Sequence, residues 1–180
     1  MRKFSMRIPF LTSLGIFCRK IRCKMKIAIG SDHCGYEMKM KLMPLLKDGN
    51  EVTDFGCFST SMVDFPDIAE KVCDAILSGK CERGIMFCST GIGAVIACNK
   101  VLGIRAGLCH DTYSAHQAVE HDNIQVLAIG AEIIGYHLIS DIIQTFLGAR
   151  FSEEDEFKNR IAKLDHMDIK RAISMDSKRN

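Results

Sequence analysis

The sequence predicts an α/β domain: one doubly wound, Rossmann-like, five-stranded parallel sheet with helices on both faces and a C-terminal helix reaching a partner subunit. Three observations carry that prediction. The strand-like runs are continuously apolar rather than alternating, which means burial on both faces, as in parallel sheets. Each run is followed by a segment with helical spacing, and the alternation repeats five times. The chain has 180 residues, 47% apolar and 26% charged, which suits one ordinary domain with its own core.

The elements follow in order. Residues 26–30 form a short apolar strand ending in glycine, and residues 36–47 a helix with Met38, Leu42, Leu45 and Leu46 on one face. After the Asp48-Gly49-Asn50 turn, residues 51–55 give a second strand. A loop of small polar residues spans 56–66, and residues 67–77 form a helix with Ile68, Val72, Ala75 and Ile76 inward. Residues 84–88 are a third strand, and 91–100 a helix that opens in glycines. Residues 105–109 and 126–129 are the remaining strands, followed by helices over 112–120 and 135–147.

From Phe151 the composition changes. Glu153-Glu154-Asp155-Glu156 leads into Phe157, Ile161 and Leu164, the pattern of an amphipathic helix with carboxylates at its positive dipole end. Packing back on its own sheet is one reading of this helix. Because the five-strand unit is already complete, reaching across to a second subunit is favoured. Residues 168–180 are expected to fray. The organisation is thus a leader (1–24), the α/β domain (25–150), and a C-terminal helix with tail (151–180).

Residues 1–25 hold seven of the 24 basic residues and none of the 22 acidic ones, so the remainder of the chain is net negative. A negative folded part without a basic stripe is a poor match to nucleic acid. No apolar run approaches the ~20 residues of a membrane span. The leader combines a short apolar stretch with basic residues but lacks a small-x-small cleavage site. An over-extended start, with Met25 as initiator, is favoured over an organellar transit peptide, and secretion comes last. The nine cysteines are odd in number with no CxxC pair, which argues against a zinc site or a disulfide framework and for a reducing compartment such as the cytoplasm.

In open parallel sheets ligands bind beyond the carboxyl ends of the strands. There the sequence places Ser31-Asp32-His33-Cys34-Gly35, Cys88-Ser89-Thr90-Gly91-Ile92-Gly93 and His110-Asp111, with His121-Asp122-Asn123 ending the helix that follows. A carboxylate, imidazoles, a thiol and a glycine-rich turn are expected on one rim. Glycines between a strand and a helix let backbone N–H groups approach an anion, and the same field is expected to lower the pKa of a thiol there. A thiolate beside such donors suits nucleophilic attack or proton abstraction. Taken alone, Asp32-His33 reads as a helix cap beside a surface histidine, and any one cysteine as core. Position and the Ser-Thr-Gly-x-Gly turn single out Cys88.

Together, residues 25–33, the Cys88–Gly93 turn, Asn99-Lys100 with Gly103-Ile104-Arg105-Ala106, Tyr113-Ser114-Ala115, His121-Asp122-Asn123 and residues 126–130 resemble the type B ribose-5-phosphate isomerases, a family that includes galactose-6-phosphate isomerase subunits. The likeness runs from about residue 25 to 160. It implies interconversion of aldose and ketose phosphates through a cis-enediolate, without metal or cofactor. Carried over, Cys88 is the base moving the proton between C1 and C2, Thr90 supports it by hydrogen bonding, and the N–H groups of Ser89, Gly91, Ile92 and Gly93 hold the enediolate oxygen. His121 matches the proton donor that opens the furanose ring, with Asp122 beside it. Asp32 and His33 hold sugar hydroxyls, and Arg160 the anionic end. The family forms dimers, often paired further, in which each active site is completed by the neighbour.

Three departures stand out: Asp122 where the family's ribose-phosphate enzymes have asparagine, and Glu132 and Glu156 where they have arginine. A carboxylate in place of a cation repels phosphate at close range, so a galactose phosphate, a tetrose phosphate and an unphosphorylated sugar stay open beside ribose 5-phosphate. Two other classes fit less well. A thiol phosphatase needs arginine six residues after its cysteine, where Ala94 stands. A receiver or flavodoxin-like binding module needs an aspartate ending the third strand or a Ser/Thr-rich loop after the first, and this chain has Cys88 and Asp32-His33 there.

Overall fold

The computed structural model describes residues 24–176, so nearly all of the basic leader lies outside the described residues. Five strands form one parallel sheet: β1 (Lys26–Ser31), β2 (Glu51–Asp54), β3 (Arg83–Cys88), β4 (Ala106–Leu108) and β5 (Val126–Gly130), in the order β2-β1-β3-β5-β4. Ile29 pairs with Ile85, Ile85 with Leu127, and Leu127 with Gly107. The buried β1, β3 and β5 are the continuous apolar runs, as expected of central strands.

The helices are α1 (Tyr36–Lys47), α2 (Phe65–Leu77), α3 (Ile92–Cys98), α4 (Thr112–Glu120), α5 (Tyr136–Gly148) and α6 (Asp155–Asp176). One face of the sheet buries Ile27, Ile29, Ile85, Phe87, Leu127 and Ile129 against α1, α4 and α5. The other buries Ala28, Met86, Val126 and Ala128 against α2 and α3. The small residues on that second face let α2 and α3 lie close. Right-handed crossovers explain the division: connections toward β2, and from β4 back to β5, place their helices on the face opposite to those of the other crossovers. The strand order reverses between β1 and β3, and that switch point positions the site.

Element boundaries shift by a residue or two from the sequence reading. Helix α2 starts at Phe65 because Pro66 can occupy a first-turn position, where no backbone N–H is missed. Two differences are larger. The buried stripe of α1 is Lys39, Leu42, Met43 and Leu46, with Met38 and Leu45 half-buried against the same core; Lys39 joins it because it is neutralised within the fold. The C-terminal segment stays helical to Asp176 instead of fraying from Asp168, since Ile169, Ala172 and Ile173 continue helical spacing without glycine or proline. Phe157 and Ile161 of α6 are buried on their own chain, and Arg105 pairs with Asp165 at 2.9 Å. Beyond them Met167, Ile169 and Ile173 are exposed.

Candidate active site at the sheet switch point

Asp32 and Cys88 end the two strands that flank the switch point. A turn forces them together. Gly35 sits so close to β3 that a Cβ there would lie 2.5 Å from the Phe87 carbonyl carbon and oxygen. The Asp32 N–H donates to the Phe87 carbonyl at 3.0 Å, and Gly35 N–H donates to Asp32 Oδ1 at 2.8 Å. The Asp32 carboxylate, 5% exposed, thereby becomes a charged neighbour of the Cys88 thiol, itself 6% exposed.

The Cys88–Gly93 loop wraps the sulfur. Gly91 adopts φ 78°, and a Cβ on it would meet Leu108 Cδ1 at 2.5 Å and Gly130 N at 3.0 Å, so both conformation and space require glycine. The first four N–H groups around a helix start have no partner in the helix ladder. Here Gly91 and Ala94 direct theirs at the Cys88 sulfur. Ile92 N–H donates to Thr90 Oγ1 at 3.3 Å. Gly93 N–H has no hydrogen bond among those described outside the helices and strands. The loop also leans on β5, with Ala131 N–H on the Cys88 carbonyl at 2.8 Å and Glu132 N–H on that of Ser89 at 3.0 Å.

One expectation changes here. Burial, the hydrogen bond to Asp32 and its negative charge push the Cys88 thiol up rather than down, outweighing the Gly91 and Ala94 N–H groups. The Thr90 hydroxyl accepts from Ile92 N–H, which leaves its own O–H free to donate.

His33 Nδ1 accepts a long 3.5 Å hydrogen bond from Val63 N–H, which links it to the loop after β2. That loop is anchored from below by Lys39, whose fully buried ammonium donates to Asp54 Oδ1 and Oδ2 at 2.8 and 2.9 Å and to the Cys57 carbonyl at 2.5 Å. His110 Nε2 accepts from Gly130 N–H at 3.3 Å, and Asp111 caps α4 by accepting from Ser114 N and Oγ, both at 2.7 Å. Those bonds hold the Asp111 carboxyl below its ordinary range. Glu132 accepts from Ser89 Oγ at 2.7 Å, at the mouth of the Cys88–Gly93 loop. The five loops beyond the strand ends thus carry Asp32, Asp64, Asp111 and Glu132 with His33 and His110, and no lysine or arginine.

His121 does not join this rim within its own chain, contrary to the sequence reading. Helix α4 starts beside the carboxyl end of β4 and runs antiparallel to the strands for nine residues, about 14 Å at 1.5 Å per residue. It delivers His121 and Asp122 to the opposite edge of the sheet, where Arg105 Nε, just before β4, donates to the Asp122 and Asn123 carbonyls at 3.1 and 3.3 Å. Arg160 is there too: its guanidinium lies over Phe157, which stacks on His121. The candidate residues therefore form two groups. Asp32, His33, Cys88, Ser89, Thr90, Gly91, Ile92 and Gly93 occupy one edge, and His121, Asp122 and Arg160 the other.

Sequence reasoning passed over Lys39 and gave Phe157 no part beyond the apolar face of the C-terminal helix. Lysine's strong preference for the surface hid the first. The second depends on a contact between segments 36 residues apart. Among the described residues no three His, Cys, Asp or Glu side chains gather as a metal site, and no helix is long and apolar enough to cross a membrane.

Residues 27–164 match the Ribose/Galactose Isomerase family model. The chain is 45% identical over 129 residues to a ribose-5-phosphate isomerase B of Listeria innocua, covering 71% of this chain and 87% of that protein. It is 44% identical over 129 residues to a D-erythrulose-4-phosphate isomerase of Pectobacterium atrosepticum, covering 71% and 85%. Among solved structures, ribose-5-phosphate isomerase B of Clostridium thermocellum superposes with a TM-score of 0.79 at 43% identity, covering 82% of this chain and 99% of that one. With the match spanning the whole sheet and both groups of residues, the chain belongs to the ribose/galactose isomerase family.

Proposed function

We propose that this aldose–ketose sugar-phosphate isomerase interconverts ribose 5-phosphate and ribulose 5-phosphate, with Cys88 as the base. The observation that carries the assignment is the Cys88 sulfur at the sheet switch point, between the Asp32 carboxylate and the Gly91 and Ala94 N–H groups. In its thiolate form the sulfur removes the proton from C2 of the open-chain aldose; a proton then returns at C1 while O2 gives up its proton to become the carbonyl and O1 gains one, which gives the ketose. The negative charge that develops on oxygen in the cis-enediolate is met by N–H groups of the Ser89–Gly93 loop that are not committed to Thr90 or the sulfur, Gly93 among them. Asp32 and His33 hold sugar hydroxyls. Thr90 acts by fixing the loop through Ile92 N–H.

A second copy of the chain completes the site in this reading. Topology places His121 and Arg160 at the edge of the sheet away from Cys88, and the rim around Cys88 has no lysine or arginine to meet a phosphate. In a dimer that sets one copy's α4 end and α6 start against the other's Cys88 rim, His121 donates a proton to the furanose ring oxygen and Arg160 binds the anionic end, with Asp122 alongside. The exposed Met167, Ile169 and Ile173 of α6 give such a pair apolar surface to bury. The free cysteines suit a reducing compartment, with the cytoplasm as the assigned location.

One observation favours the same chemistry on a different sugar. Glu132 stands 2.7 Å from Ser89 Oγ, and Glu156 lies 3.5 Å from Arg160. Both add negative charge where a phosphate would approach. Substrates of four to six carbons, phosphorylated or not, should therefore be followed by NMR in deuterated solvent. Deuterium entering at C1 or C2 during isomerisation identifies reaction and substrate together. Cys88→Ala should lower turnover by at least two orders of magnitude, the range of a lost general base, with the fold retained by circular dichroism. Near-normal turnover in that variant would overturn the assignment.

A further inference from the structure

His121 is the residue that closes α4, and its backbone leaves the imidazole free to turn, because rotation about an sp3–sp2 torsion is broad. Glu120 does not fix the ring: its Oε2 lies 3.7 Å from His121 Nε2 but nearer, at 3.3 Å, to His116 Nδ1. What fixes it is Phe157. The two rings stack with centroids 4.2 Å apart and planes 13° apart. The same Phe157 ring has the Arg160 guanidinium carbon 5.2 Å from its centre. Phe157 is in turn immobilised, 7% exposed, by a strap in which Ser152 N–H donates to the Glu120 carbonyl at 2.8 Å and so ties the entry of α6 to the end of α4.

Building on the isomerase reading above, we infer that Phe157 is a positioning residue: its ring sets the plane of the His121 imidazole and shelves the Arg160 guanidinium, so that ring-opening acid and anion-binding cation reach the sugar as one preassembled unit. The chemistry asks for such a part. Opening a furanose requires His121 to give its proton to the ring oxygen as the C1–O bond breaks toward that oxygen, while the C1 hydroxyl loses its proton to water and becomes the aldehyde. The donor nitrogen must point along one direction. Phe157 supplies a flat face with no hydrogen-bonding atom, so it orients the imidazole without competing for either nitrogen.

The test separates ring opening from proton transfer. Ribose 5-phosphate needs both steps. Ribulose 5-phosphate is open-chain, because its O5 carries the phosphate and cannot close a furanose, so exchange of its C1 proton with deuterated solvent needs the Cys88 base alone. Phe157→Leu keeps apolar volume but removes the flat face. At saturating substrate its turnover of ribose 5-phosphate should fall on the order of tenfold or more, as expected for a misaligned catalytic group, while C1 exchange in ribulose 5-phosphate stays within about threefold of the parent. Phe157→Tyr, which restores the face, should recover turnover. Equal loss of both activities in Phe157→Leu assigns Phe157 a merely structural part and overturns the inference, as does unchanged turnover. Absence of exchange in the parent chain itself overturns the Cys88 assignment, and this inference with it.

Discussion

Replacing Lys39 with methionine should destabilise the protein by about 3 kcal/mol, the lower end of the range for removing one partner of a buried ion pair. The structure sets that figure. The ammonium is wholly buried and donates three hydrogen bonds, two to the Asp54 carboxylate at 2.8 and 2.9 Å and one to the Cys57 carbonyl at 2.5 Å. Methionine fills nearly the same volume, so cavity formation contributes little, and the loss is electrostatic. Asp54 keeps 22% of its side chain exposed and still accepts from Gly56 N–H at 2.9 Å, which holds the cost to the low end. With a urea m-value of about 2 kcal/mol/M, the unfolding midpoint should drop by about 1.5 M at unchanged slope. Protein concentration must be fixed throughout, because the stability of the proposed dimer depends on it. Asp54→Asn in the same background removes the stranded charge and should recover about 1 kcal/mol or more. The reasoning fails if Lys39→Met costs under about 1 kcal/mol, or if the double variant is no more stable than the single one.

Two other outcomes bear on the site. In the proposed mechanism Cys88 acts as a thiolate, so kcat/KM should rise with pH through its ionisation, which burial and then the Asp32 hydrogen bond and charge hold high. Asp32→Asn removes the charge and offers an amide N–H that can donate to the thiolate, while Gly91 and Ala94 N–H remain, so the rising limb should move to lower pH even where its height falls; a limb that stays or moves up contradicts the contact. Mixing Cys88→Ala and His121→Ala chains under conditions of subunit exchange should restore about a quarter of parental activity, because half the dimers are mixed and each has one intact site. Sites built within single chains would give no recovery on mixing.

Much was legible in the sequence. Residues 27–30, 84–88 and 126–129 are apolar without alternation, and that points to central parallel strands with helices on both sides. Cys88 could be singled out because a glycine turn between a buried strand and a helix is a local arrangement, set by Gly91 at positive φ. Lys39 and Phe157 were not legible, since each owes its part to a segment distant in sequence: Lys39 to Asp54 and Cys57, Phe157 to His121.

The sequence by itself determined the five-fold alternation, the residue types beyond each strand and the carboxylates at 132 and 156. The tertiary structure alone decided which of those residues meet. Burial of the Cys88 thiol, with Asp32 brought beside it by strand order, reversed the direction expected for its pKa. An antiparallel return through α4 carried His121 to the far edge of the sheet. The physical reason is that local pattern fixes which face a side chain takes, while proximity between charges depends on how strands are ordered and which way each helix runs.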